Sequence, residues 1–487
     1  MSLQKYKMKN MKGKTIIIGA GPAGLSCAYT LVKKKQQVEV FEASEFIGGM
    51  SRSFDLWGQR VDLGPHRFFS KQKEINAFFS ELIQEDFTLV ERQTRIYYNK
   101  RYFNYPLKLS NVLLNLPITT IIQILWYYFI QRVNPIKDPK NFEEWVTDRF
   151  GKKLFEIFFK NYTEKLWGIK CTEIDADWAA QRIKGLSLFE AVKSAILSNR
   201  GNKHKTLVDQ FAYPKNGTGT LYQRAADYVE NAGGKINTQK PVKRVILDQN
   251  NKKVVGVELL DGSIHHADSV VSTMPLTLLL KGFHNVPEAV QNAVDNLFFR
   301  NTILVYLEID RADLFTDNWL YIHSPEVQHG RITNFRNWCE SLNRGKKTTI
   351  LCMEFWCFDE DKVWQDDEQK IINLAKEEIY KIDLIPKDAS VLNTKLVKVP
   401  RCYPVYQTGY QKDIKIIIEF LNTIEGLYPI GRYGAFKYNN QDHSILMGLL
   451  AAEKIVNQKS IDLWQINTDT EYQEEGKIKD VFDSKES

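Results

Sequence analysis

Residues 14–42, KTIIIGAGPAGLSCAYTLVKKKQQVEVFE, constrain this chain more than any other stretch. A run of isoleucines ends at Gly19-x-Gly21-x-x-Gly24, a helical pattern follows, and a second β-branched run ends on Glu42. The order strand, glycine turn, helix, strand is one βαβ unit. Gly19 permits the tight turn, Gly21 lets backbone approach a pyrophosphate, and Gly24 lets helix and strand pack closely. Phosphates at the helix N-terminus meet unpaired N–H groups and the positive end of the helix dipole. Glu42 is placed to accept hydrogen bonds from a ribose diol, and a carboxylate there disfavours a 2′-phosphate, which argues against NADP at this site. The expectation is an α/β fold with a Rossmann-like dinucleotide-binding region.

The chain has 487 residues, more than one simple core accommodates. At 241–275 short β-branched runs alternate with Asn-Asn and Asp-Gly turns, which predicts a β-meander. Residues 302–310, 319–323 and 347–356 read as further strands, and 72–90 reads as helix. The expected organisation is a dinucleotide-binding domain in three pieces (13–104, 205–285 with the meander, and 425–460 with a terminal helix). A mostly helical domain (105–204) and an antiparallel-sheet substrate domain (286–424) are inserted, and a polar tail (461–487) follows.

The apolar stretch 111–130 carries Asn115, Pro117, Thr119, Thr120 and Gln123, which a lipid-facing span would hold at a cost. It is expected to be a buried helix rather than a membrane span, with peripheral membrane contact left open. Lys33-Lys34-Lys35 reads as a solvated helix end. A net charge of +7 from 66 Lys/Arg and 59 Asp/Glu, without a long basic run, implies no nucleic-acid partner and suits a small anionic substrate. Six scattered cysteines contain no C-x-x-C pair, so free thiols in a reducing cytoplasm, and no metal site, are expected.

After Glu42 the sequence continues EASEFIGGMSRS, with Gly49 and Ser51 beside a second glycine turn, and LYPIGRYGAFKY follows at 427–438 with Gly431-Arg432. Together with the meander, these segments resemble the FAD-binding fold of flavin amine oxidases. The resemblance implies that Gly49 and Ser51 pass along the flavin and that Gly431 and Arg432 approach the cofactor from the C-terminal part. Gln441, Asp442 and Ser444, at the start of the terminal helix, are assigned to the cofactor side, with Asp442 or Ser444 also available as a helix cap.

The segments RYFNYPLKLSNVLLNLP, FEEWVTDRFG, FFKNYTEKLWGI, WAAQRI, YPKNGTGTLY, NWLYIHSPEVQHGRITNF, RCYPVYQ and GRYGAFKYNNQDHSILMGLLAAEKIV occur in the order seen in the UDP-galactopyranose mutase family. The resemblance runs from about 14 to 456 and is closer to the eukaryotic-type enzymes. It implies a non-redox pyranose–furanose interconversion of a nucleotide sugar in which the N5 of reduced FAD attacks the anomeric carbon, with NADPH or NADH as reductant. Matching positions make Arg182 and Arg331 the diphosphate arginines, where a planar fork pairs bidentately with phosphate. Tyr321, Tyr403 and Tyr438 match phosphate-contacting tyrosines, Trp167 and Asn440 face the sugar, and Tyr105 lies near the uridine. Gly64-Pro65-His66 replaces the family's Gly-Gly-His, with His66 as the flavin-proximal imidazole, able to be neutral or charged near pH 7, and Pro65 stiffening the loop. Thr163, Leu107-Lys108 and the short Tyr438–Asn440 spacing also depart from the family pattern. A flavin oxidase or dehydrogenase acting on an amine or a lipid-linked sugar is the alternative.

Overall fold

A computed structural model of the chain describes residues 13–105, 107, 111–112, 115–178 and 210–467. The first strand, Lys14–Ile18, lies near the centre of a five-stranded parallel sheet, with Ile16 and Ile17 fully buried. The sheet order is Leu427–Pro429, Ser269–Ser272, Lys14–Ile18, Gln37–Phe41, Lys235–Asn237. Strands buried on both faces read as unbroken apolar runs, which is why IIIG was so legible. The helix Pro22–Lys33 packs on this sheet and against the terminal helix Gln441–Asn457. It ends at Lys33, and the lysines there are solvated as expected, with Lys33 and Lys35 exposed and surface ion pairs from Lys33 to Glu81 and Lys34 to Glu453. The meander is a three-stranded antiparallel sheet, Val242–Leu247, Val254–Leu259 and Ile264–His266.

A second sheet of seven strands runs Val391–Pro404, Phe299–Ile309, Thr349–Cys357, Arg331–Asn334, Trp319–Ile322, Thr94–Tyr98, Arg101–Asn104. All its pairings are antiparallel except the one between Trp319–Ile322 and Thr94–Tyr98. The helix expected over 72–90 spans only Lys73–Ile83; Gln84 takes a left-handed φ of 54°, and the chain resumes as the strand Phe87–Glu91, paired with Gln210–Pro214. Local apolar spacing ran on through 90, but pairing with a strand more than a hundred residues away overrode it.

The apolar stretch 111–130 is corrected more sharply. It forms the helix Ile118–Val133, which rests on the helices Phe142–Phe150 and Lys152–Phe155. Gly151, at φ 79°, allows the approach, since a Cβ there would meet Tyr128 N at 2.8 Å. Within this helix only Ile124 is buried. Among the described residues, no helix is long and apolar enough to cross a membrane. Five of the six cysteines are buried and all six are free.

Candidate functional site

Two glycine turns face each other across the end of the parallel sheet. Gly19 has φ 98°, and a Cβ on Gly24 would sit 2.0 Å from the Gly19 carbonyl oxygen, so both positions need glycine for the chain itself. Gly21 is different. Its φ of −88° suits any residue, and a Cβ there would only touch Gly49 Cα at 3.8 Å. The chain therefore leaves space at Gly21, at the start of a helix with no side-chain cap. The second turn closes against it: Gly48 N donates to the Ala20 carbonyl at 2.9 Å, and a Cβ on Gly49 would lie 3.2 Å from Gly21 Cα. Glu42 is held beside both, accepting from Ala20 N at 2.8 Å and from Ser44 N and Oγ at 2.9 and 2.8 Å. Gly431, with φ 81°, brings the C-terminal part to Ala23 at the start of the same helix. A cradle of backbone, an uncapped helix end and an oriented carboxylate fit a dinucleotide.

Arg52, passed over in the sequence, follows the second turn with its guanidinium over the Phe46 ring at 4.4 Å, and the charge of Glu42 reaches it. An arginine three residues after a paired glycine was the available signal. Ser51 is buried under the same turn.

The expected substrate residues converge on an aromatic cluster at the edge of the seven-stranded sheet. Tyr403 and Tyr438 stack at 5.6 Å, Trp167 lies 6.4 Å from Tyr403 and 5.9 Å from Tyr438, and Arg432 lies over both tyrosines at 4.7 and 4.4 Å. Tyr321 joins through Tyr162 at 5.6 Å, and Tyr105 touches Tyr321 at 4.8 Å. Trp167 is almost wholly buried, so its ring is wall more than contact surface. Arg182 lies outside the described residues.

Arg331 is the second cation of this cluster, beside Arg432, and it is not a free fork. Its Nε and Nη2 donate to Glu354 Oε1 and Oε2, both at 2.6 Å, and Nη2 also reaches Tyr403 Oη at 3.4 Å. Arg331 and Glu354 are opposite each other in adjacent antiparallel strands, and Glu354 is buried. The pair holds Arg331 charged despite burial. Glu354 is the acid inside TILCMEFW; with register unknown, its partner was invisible.

The loop after the strand Gln59–Asp62 carries Gly64 at φ 92° and then Pro65 and His66. Several contacts hold it: His66 Nε2 donates to the Leu63 carbonyl at 3.1 Å and the ring also hydrogen-bonds the Met50 backbone, Gln441 Nε2 donates to the Arg67 carbonyl at 2.6 Å, and Phe68 bridges to Ala212. The expectation that His66 titrates near pH 7 is corrected. Burial lowers its pKa to about 4, and the cations Arg331 and Arg432 act in the same direction. The ring is neutral at physiological pH, hydrogen-bonded to the Leu63 carbonyl and to the Met50 backbone. Because the unfolded chain binds this proton more tightly, the contribution to stability is complete above pH 6.5. It is lost as pH falls through about 4, to the extent of at most about 3 kcal/mol. Urea unfolding of cofactor-free protein at pH 7 and pH 4.5 is expected to show this loss, and His66→Asn is expected to reduce it.

At the terminal helix the cap is Asn440, not Asp442 or Ser444: Asn440 accepts from the His443 amide, and His443 Nδ1 accepts from Asn440 N at 3.2 Å. Asn440 thus spends its side-chain oxygen on the helix. Gln441 is likewise engaged by the protein, accepting from Tyr222 Oη at 2.6 Å while it holds the Arg67 carbonyl. Asp442 and Ser444 are buried beside it.

A parallel sheet bearing a dinucleotide cradle, joined to an antiparallel sheet with an aromatic cationic cluster, defines a flavoenzyme architecture, and the chain belongs to the flavin containing amine oxidoreductase family, which it matches over residues 22–456. Among individual proteins, a probable UDP-galactopyranose mutase of Klebsiella pneumoniae is 28% identical over 186 residues, covering 34% of this chain and 44% of that protein. Coproporphyrinogen III oxidase of Staphylococcus aureus is 22% identical over 92% of this chain and 99% of its own length. A 1-hydroxycarotenoid 3,4-desaturase of Flavobacterium sp. is 39% identical, over only 18% of each chain. The chain therefore spans less than half of the mutase and of the desaturase it matches. In fold, the crystal structure of reduced UDP-galactopyranose mutase superposes with a TM-score of 0.83 at 22% identity, covering 94% of this chain and 98% of that one. A putative protoporphyrinogen oxidase from Exiguobacterium sp. follows with a TM-score of 0.69 at 16% identity, covering 92% of this chain and all of that one.

Proposed function

We propose that this chain binds FAD and, with the flavin reduced, interconverts pyranose and furanose forms of a nucleotide-linked sugar such as UDP-galactose. The carrying observation is the convergence of Arg331, Arg432, Tyr321, Tyr403 and Tyr438 in one cluster that the His66 loop approaches. Gly21, Gly49, Glu42, Arg52 and Gly431 hold the dinucleotide. Reduced FAD supplies a nucleophile for the anomeric carbon, which allows the sugar–diphosphate bond to open without net oxidation. Arg331, fixed by Glu354, and the tyrosine hydroxyls retain the diphosphate while it is detached. Held charges and donors of this kind stabilise a leaving group because they need no reorganisation when charge develops. His66, neutral and anchored to Leu63, lines the cluster without adding positive charge.

The test is incubation of dithionite- or NADPH-reduced protein, without oxygen, with a panel of UDP- and dTDP-hexopyranoses. A furanose product is expected from reduced protein and none from oxidised protein. Absence of furanose across the panel rejects the reading. The engagement of Arg331 by Glu354 and of Asn440 by the helix cap favours a second reading, a flavin oxidase or dehydrogenase with no diphosphate to hold. Substrate-dependent bleaching of the flavin and peroxide formation in air would select it.

A further inference from the structure

The helix Ile118–Val133 is apolar on the side that faces away from the protein. Ile118, Ile122, Trp126, Phe129 and Val133 are 68%, 60%, 61%, 60% and 70% exposed, and Leu125 completes the stripe. At 100° per residue these six side chains fall on one face, opposite buried Ile124. The helix itself contains no acidic residue and carries Arg132 in its last turn. An exposed apolar surface of this extent marks an interaction site rather than an ordinary surface.

We propose that this face lies in the interfacial region of an anionic lipid membrane, as a peripheral anchor that does not span it. The charge pattern selects this occupant. Between residues 92 and 137 there are seven Lys or Arg and no Asp or Glu. Arg95 and Lys100 are paired with Asp317 and Asp383. Arg101 instead donates to the Asn115 carbonyl, which places it where the chain enters the helix, and Arg132 marks the other end, donating to the Asp148 and Arg149 carbonyls. Lys137 is exposed just beyond. Of the acids that follow, Asp138 pairs with Lys140 and Asp148 accepts from the Ile136 amide. An apolar face with an indole in it and cations at both ends is the composition of a helix lying in the headgroup region.

A second copy of the chain fits less well. Like charges at the ends of the helix would face each other across a two-fold axis. Anionic lipid reverses that effect, because binding grows with each inserted side chain and each cation near the headgroups.

The test is co-sedimentation of the purified full-length protein with phosphatidylglycerol vesicles and with phosphatidylcholine vesicles, together with Trp fluorescence. Wild type is expected to bind the anionic vesicles, more weakly at high salt, with a blue shift in emission, and to bind the neutral ones at least about tenfold less. Ile122→Gln with Phe129→Gln, both at exposed positions, is expected to cut binding at least tenfold while leaving the circular dichroism spectrum and flavin content unchanged. Arg132→Gln is expected to weaken binding to anionic vesicles only. No binding to either vesicle, binding indifferent to lipid charge, binding equal in wild type and the double variant, or a dimer in sedimentation that the double variant abolishes would each overturn the proposal.

Discussion

Arg331→Ala is expected to lower turnover of the reduced protein on a nucleotide sugar by about 10²–10³-fold, the scale seen when a preorganised charge-stabilising donor is removed. It is also expected to destabilise the fold by about 3–5 kcal/mol, because Glu354 would remain buried without its counter-ion. The two losses separate in the double variant. Arg331→Ala with Glu354→Gln removes the stranded charge, so urea unfolding recovers most of the stability while turnover stays low. Arg331→Lys keeps the charge but cannot make both 2.6 Å contacts and is expected to fall between. Recovery of turnover in the double variant would mean that Arg331 serves only the sheet.

Gly24→Ala and Gly21→Ala are expected to diverge, although both break the same motif. At Gly24 a methyl group would lie 2.0 Å from the Gly19 carbonyl, so the turn must move; the variant is expected to lose melting temperature and to purify without flavin absorbance. At Gly21 the chain has room for a methyl group, and only a ligand competes for the space. Gly21→Ala is therefore expected to keep the melting temperature of the cofactor-free wild type and to bind FAD much more weakly. Equal loss of stability in both variants would make Gly21 a packing residue and remove the reason for reading an open cradle there.

The largest local misreading concerned 111–130, and its cause is physical. Periodicity reports that a helix has an apolar face but not which neighbour covers it, and here the stripe facing outward is as apolar as the one facing Phe142–Phe150. A similar limit applies at Asn440. Asparagine, aspartate and serine all suit an N-cap, and Asn440, Asp442 and Ser444 lie within five residues, so only backbone geometry selects the one that caps.

Sequence alone determined the βαβ unit, its glycine turn and the meander, because these rest on local chemistry: β-branched runs, turn residues and glycines at Gly19 and Gly24; the flavoenzyme class came from the resemblance to a known family. It also brought forward most members of the aromatic cluster. Tertiary structure decided how those members are used. The Arg331–Glu354 pair depends on the register of two strands, the neutrality of His66 on burial and two distant cations, and the tether of its loop on Gln441 from the far end of the chain. Charge state and hydrogen-bond partner are properties of surroundings, and surroundings are assembled from residues far apart in sequence.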